Sequence, residues 1–592
     1  MTQKKRTTVS YVIGAFYAAC YILLSAPAAW GAKAGIASTV HNLSVSGPGE
    51  LKALTETRIC VFCHTPHNAA PQTPLWNKNI DPVSYDIYAS TTLHVSPSQP
   101  TGSSRLCLSC HDGTIALGNV RTPSGGIQTT GEITSGRLSY IGTSLTNDHP
   151  ISFSYYDATV NHEIAPSPPA GLLFFGPRYL VQCSTCHDAH EDAYRSPDKS
   201  GRLTGKFLVM NNRYSALCTQ CHIKDGWLSA THRSTAQPVN AVLPLSPRLW
   251  PTWLSVTEWG CESCHTPHSA GGNQRLLNFQ EEEKNCLLCH NGTVAQKNIQ
   301  AQFQKLSHHP VETATIGLTG NAHQPNESPL LLSGHVECAD CHNAHAANNR
   351  TASAPYASGR LELVSGVSIT GAAVSPVTYE YEVCFKCHAD SSGGFPLVSR
   401  VVNMTNTRFE FDTANPSYHP VAGVGRNTFV PSIPSTYKPT LTASSIIYCK
   451  DCHESDESTD IGGAGPRGPH GSQYRPLLRE RYETLDNTFE SFQNYALCYR
   501  CHNRDSILGD QSFKEHREHI VEKNTPCSVC HDPHGVRSDG GLTGDHTHLI
   551  NFDTRVVSPV QGRTYPTFTD LGTGRGSCTL VCHGKTHNPL SY

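Results

Sequence analysis

The chain has 592 residues, a formal net charge of −3, 38% hydrophobic and 8% aromatic residues, 47 glycines and 39 prolines. Its length allows several domains, but the apolar fraction is thin for large side-chain cores, and no basic patch argues for nucleic acid. Cysteine and histidine stand out at 25 and 33, against only 3 methionines.

The first segment reads as an export signal. Lys4, Lys5 and Arg6 precede the apolar stretch VSYVIGAFYAACYILL and then SAPAAWGA. Ala26-Pro27-Ala28 fits a small-x-small cleavage site, so residues 1–28 are expected to be a signal peptide. An uncleaved anchor helix and lipidation at Cys20 are the alternatives. No later stretch is long and apolar enough to span a bilayer.

The 24 cysteines after Cys20 all fall in pairs followed at once by histidine. Eleven have the C-x-x-C-H form. In chain order they are Cys60/Cys63/His64, Cys107/Cys110/His111, Cys183/Cys186/His187, Cys218/Cys221/His222, Cys261/Cys264/His265 and Cys286/Cys289/His290. Next come Cys338/Cys341/His342, Cys384/Cys387/His388, Cys449/Cys452/His453, Cys498/Cys501/His502 and Cys527/Cys530/His531. The twelfth, CTLVCH, has one extra residue: Cys578, Cys582 and His583. C-x-x-C-H is the attachment signature of c-type haem. Two thiols add across the porphyrin vinyl groups, and the adjacent imidazole meets the iron from one face. Zinc sites and disulfides do not need histidine beside every second cysteine. The pattern therefore predicts twelve covalent haems with the twelve motif histidines as proximal ligands.

Each iron has a second axial position. Once the signal is removed only Met210 and Met404 remain, so histidine is the default second ligand. The motifs group into six pairs, and in five of these the first member carries a further histidine three residues on: His67, His190, His268, His345 and His534. Two histidines within one turn cannot bind opposite faces of one iron, so each of these is expected to clamp a neighbouring haem. In the fifth pair, 454–468 reads as an insertion that displaces the equivalent residue to His470. A second class lies upstream of each pair, often as His-Pro: His149, His309 and His419, with His41, His232 and His519 (or His516) in matching places. These twelve balance the proximal set. Left over are His94, His162, His308, His323, His335, His516, His546, His548 and His587, of which His587 and the pair His546/His548 are substitutes near the last haem.

At this point the chain resembles the doubled-motif multihaem c-type cytochromes, similar in local architecture to the cytochrome c3 family. CVFCHTPHNAAPQTPLWN and CLSCHDGT carry the likeness. It also resembles the dodecahaem cytochromes of bacteria that respire extracellular metals. The resemblance implies export, haem attachment outside the cytoplasm and electron carriage. The implied partners are other redox proteins: a periplasmic donor, and an outer-membrane conduit or extracellular metal acceptor. Bis-histidine ligation leaves no iron position for a substrate. An oxidoreductase with one open haem and a filament-forming cytochrome are the alternatives.

The expected fold is mostly irregular, with short α-helices that carry the motifs and few β-hairpins, wrapped around a haem array. At about 47 mature residues per haem, porphyrin faces rather than leucines supply the apolar core. Long Gly/Ser/Thr/Pro-rich segments at 121–144, 348–376 and 421–445 read as loops, with a hairpin within 360–374. Three lobes of four haems are expected, at 29–240, 241–440 and 441–592. Haem propionates add up to about 24 carboxylates, making the surface more acidic than the residues alone suggest.

Overall fold

The computed structural model describes residues 34–70, 75–80, 82–197, 203–239, 254–311, 336–390 and 397–592. The expected signal peptide, His323 and His335 lie outside them. The described chain is largely irregular, and its helices are short. First-motif cysteines sit on single turns: Cys183–Cys186, Cys338–Cys341 and Cys527–Cys530 are α-helical, and Cys60–Phe62, Gly260–Ser263 and Cys449–Asp451 are 3-10. The longest helices carry second motifs: α1 (Gly102–His111, 10 residues) and α2 (Glu380–His388, 9 residues). Such turns do not persist as isolated helices; they depend on what they pack against.

At three first motifs the turn is 3-10 and the second thiol falls just past it. Cys261 lies on the Gly260–Ser263 turn, and Cys264 lies one residue past its end (φ −121°, ψ −25°). The reason is the tighter 3-10 winding, whose bonds span three residues instead of four. The Cys264 N–H donates to the Cys261 carbonyl at 3.2 Å and so closes the turn. Cys63 and Cys452 sit in the same place after their own turns. Cys264 stays half-buried and next to His265.

The two kinds of motif end differently. First-motif α-helices stop at the second cysteine, and the motif histidine turns extended, as at His187 (φ −124°, ψ 138°). Several first-motif histidines then bridge to a downstream segment: His64 to Trp76, His187 to Leu208 and His531 to Ile550. α1 and α2 continue through their motif histidines.

Strands are short two-residue ribbons for the most part. Gly366–Val367 pairs with Ala373–Val374, the hairpin expected within 360–374. Ser417–Tyr418 pairs with Gly535–Val536, and Ser307–His308 with Gly471–Ser472. The exception is an antiparallel sheet at the C-terminus: β1 (Val557–Ser558), β2 (Thr567–Asp570), β3 (Gly576–Cys582) and β4 (Lys585–Ser591). β3 is central, with β4 on one edge and β1 and β2 on the other.

The described residues form two compact units. One holds the described chain up to residue 223 together with 258–276; the other holds 224–239, 254–257 and 277–592. Neither has one large apolar core. The first has three small clusters, around Phe62, around Leu108 and around Leu276. The second has one cluster around Val367, Tyr381 and Phe385, and another joining Val529, Phe552, Phe568 and Leu580 to Cys530, Cys578 and Cys582. Thiols thus share the apolar clusters, as they do where a porphyrin edge continues the core.

Candidate haem-binding centres

Two imidazoles bonded to one iron through Nε2 at about 2 Å each place their ring centroids roughly 6.3 Å apart. The structure repeats that spacing. In the first unit His41 stands 6.2 Å from His111, His64 6.2 Å from His190, His149 6.3 Å from His222 and His187 6.1 Å from His268. In the second, the separations are 6.2 Å for His232–His290, 6.2 Å for His309–His388, 6.2 Å for His342–His470, 6.5 Å for His419–His502 and 6.0 Å for His453–His534. His516 and His531 are 6.3 Å apart, and His519 and His587 are 6.5 Å apart.

Two rules organise these pairs. A second-motif histidine faces the upstream histidine of its own module: His111 with His41, His222 with His149, His290 with His232, His388 with His309, His502 with His419. A first-motif histidine faces the clamp histidine of the next module: His64 with His190, His187 with His268, His342 with the displaced His470, and His453 with His534. His531, in the last module, faces His516 instead. The two upstream histidines offered as alternatives, His516 and His519, are therefore both paired.

Some expected ligands are placed otherwise. His67 is exposed and not among the paired rings. His583 does not face His519; its Nε2 meets the two Asp486 carboxylate oxygens at 3.0 and 2.9 Å. His265, which follows Cys264, is oriented like the others, through Nδ1 on the Arg275 carbonyl at 2.8 Å.

Orientation comes from Nδ1. An imidazole that donates Nδ1–H to an acceptor presents Nε2 to a metal in a fixed tautomer. His111 bonds the Ser139 carbonyl at 2.7 Å, His187 that of Lys206 at 2.7 Å, His453 that of Pro476 at 3.0 Å and His531 that of His548 at 2.9 Å. The upstream class draws on another source, the carbonyl just before the next module's clamp histidine. His41 bonds Ala189 at 2.9 Å, His232 bonds Ala344 at 3.0 Å, His309 bonds Pro469 at 2.6 Å, and His419 bonds Pro533. His149 uses its own Pro150 carbonyl at 2.9 Å. Two clamps carry carboxylates instead: His268 on Asp148 at 3.0 Å and His534 on Glu410 at 2.7 Å. Sequence reasoning missed these acceptors.

Charge follows burial. Burial is the main cause holding His187, His290, His453, His502 and His531 down to about 4, and His470 and His516 to about 3. Neighbouring imidazoles add to it. The rings are therefore neutral, the form that binds a metal. At His534 burial acts in the same direction, but the Glu410 carboxylate and its hydrogen bond outweigh it and raise the pKa.

The cysteines complete a series. In the first unit Cys63 feels the charge of Cys110, Cys107 hydrogen-bonds Cys183, Cys186 feels Cys221, and Cys218 hydrogen-bonds Cys261. Cys264 is the last motif cysteine of that unit, and Cys289, after it in motif order, belongs to the second. In the second unit, the thiols of Cys286 and Cys338 lie within 4.8 Å of each other beside Glu282. Cys341 then feels Cys387, Cys384 hydrogen-bonds Cys449, Cys452 feels Cys501, Cys498 hydrogen-bonds Cys527, and Cys530 feels both Cys578 and Cys582. Within each unit, motifs adjacent in sequence are adjacent in space. Side chains just before three of the second motifs brace the next first motif: the Ser104 hydroxyl accepts from Cys183 N at 3.0 Å, Ser215 from Cys261 N at 2.7 Å and the Glu282 carboxylate from Cys338 N at 3.1 Å.

The residues present fit haem c on the iron side at all eleven pairs. Buried donors such as Trp76 Nε1 and Tyr495 Oη, which have no hydrogen-bond partner, suit propionates or other acceptors. The last motif differs on its thiol side. Its cysteines are four residues apart on β3, an extended span of about 13 Å, against about 4.5 Å for three residues of helix.

Residues 255–295 match the model of the doubled CXXCH motif family. That motif indicates covalently bound haem c, and with the repeated cysteine pairs it supports a multihaem cytochrome c that transfers electrons. No curated protein matches the chain. No helix among the described residues is long and apolar enough to cross a membrane.

Proposed function

We propose that the protein is a dodecahaem c-type cytochrome. It is exported, and carries electrons along bis-histidine haems of low potential between periplasmic donors and an outer-membrane or extracellular acceptor, in anaerobic metal respiration. It is not an enzyme in this reading. The observation that carries it is the repeated imidazole spacing of 6.0–6.5 Å at ten motif histidines. Imidazole on both faces fills both axial positions, and it gives lower potentials than a methionine ligand.

When bound, haem supplies reversible one-electron chemistry at each centre. The chain's own residues do the rest. The Nδ1 acceptors hold each imidazole in the ligating tautomer, burial keeps it neutral, and the motif helices keep consecutive thiol pairs in contact. An open catalytic haem finds its best candidate at the last, irregular motif, but two histidines face each other there as well.

The experiment is an intact mass of the purified exported protein. Twelve covalent haems on a chain beginning near Ala29 is the expected result. A mass with no haem overturns the reading, and an unprocessed N-terminus overturns the signal-peptide assignment.

A further inference from the structure

We propose that the last iron is held by His519 and His587, and that His583, the histidine completing the C-x-x-x-C-H string, is not a ligand. The proposal rests on the haem reading above and deepens it at one centre.

The argument begins with the extra residue. In the other motifs the thiols sit on a helical turn or just past its end, and the histidine follows from there. Here Cys578 and Cys582 lie on β3, where successive side chains alternate between faces. Cys578, Leu580 and Cys582 share one face, and all three belong to the apolar cluster that contains Cys530. The next residue, His583, enters the β3–β4 turn with φ of +47° and is exposed. Its Nε2, the atom that would meet iron, is bonded to Asp486.

β4 then returns antiparallel and sets His587 directly opposite Leu580. Cross-strand partners project from the same face, so His587 joins the face that carries Cys578 and Cys582. It is 7% exposed. Its ring stands 6.5 Å from His519, with 30° between the ring planes. That separation equals the one between His419 and His502.

Both Nδ1 atoms are already occupied, as they are at other centres. His519 Nδ1 is bonded to the Glu515 carbonyl at 2.8 Å, and His587 Nδ1 to Tyr592 Oη at 2.5 Å. Each ring thus leaves Nε2 as the nitrogen that can meet a metal. The C-terminal tyrosine has the orienting role that carbonyls have elsewhere. Phe513 fixes it, at 5.6 Å between rings, and so does its own N–H, which donates to the Gly576 carbonyl at 2.9 Å.

The test uses the full haem-loaded protein as H583A and H587A variants, read by intact mass for haem count and by electron paramagnetic resonance for spin state. H583A is expected to keep twelve haems, all low-spin. H587A is expected either to show a ferric high-spin signal of about one haem in twelve, which added imidazole removes, or to lose that haem alone. The proposal is overturned by a high-spin signal or a lost haem in H583A, or by an H587A protein that stays wholly low-spin with twelve haems. A parent mass of eleven haems also overturns it while leaving the function intact. A parent without covalent haem removes the function instead.

Discussion

At the scale of single residues, what differs between centres is the acceptor behind each imidazole. Most Nδ1 atoms meet a neutral carbonyl, whereas His534 meets Glu410 at 2.7 Å and His268 meets Asp148 at 3.0 Å. An anionic acceptor makes the imidazole a stronger donor and favours ferric iron. Glu410→Gln is therefore expected to raise the potential of the centre between His453 and His534. The shift is on the order of tens of millivolts, since a tenfold change for one electron is about 59 mV. Spectropotentiometric titration checks it, and an unchanged or lowered potential counts against it. The cysteines and motif histidines were legible because their spacing is itself the chemistry. The acceptors were not, because a backbone carbonyl leaves no mark on residue type, and Asp148 and Glu410 lie 120 and 124 positions from the histidines they meet.

Elements succeed here by bracing one another. Ser215 is fully buried; its hydroxyl accepts from Cys261 N at 2.7 Å and donates to the Trp259 carbonyl at 3.2 Å. Ser215→Ala leaves both groups unmet and is expected to destabilise the loaded protein by about 1–2 kcal/mol in denaturant unfolding; a neutral result would show that the brace is unimportant.

Glu337, at the start of the Cys338–Cys341 turn, is raised to about 9, first by burial and then by Glu282. The folded chain therefore holds a proton that the unfolded chain releases near the ordinary value of 4.5. Stability from this group is present below that value and is lost as pH rises toward about 9. Glu337→Gln should gain on the parent progressively between those two values. Parallel pH–stability curves for the two proteins would rule this out.

The hairpin within 360–374 and the one-turn motif helices followed from composition and spacing. Whether a motif winds as α or 3-10 did not, since CESCH and CADCH share one spacing, yet Cys264 falls past its turn and Cys341 within its helix. Nor did the change from helix to strand at the last motif. One inserted residue reads equally as a bulged turn, and only the pairing of β3 with its neighbours decides for a strand.

Across the whole chain, six near-repeats turn sequence order into spatial order within each unit. The rule that a clamp histidine serves a neighbouring module could be read from two histidines sharing one turn. Which neighbour it serves could not, because that depends on how modules follow one another in space. His190 facing His64 and His534 facing His453 both point backward along the chain. The small apolar clusters fit a protein whose cofactors complete its interior, so loading and folding should be inseparable.

The central claim is that closely spaced irons are capped by imidazole on both sides. Electron paramagnetic resonance of the fully oxidised, haem-loaded protein tests it most directly. The account requires low-spin ferric signals broadened by mutual coupling, with no high-spin component. Sharp, independent low-spin spectra, or a high-spin signal from several irons, would contradict it.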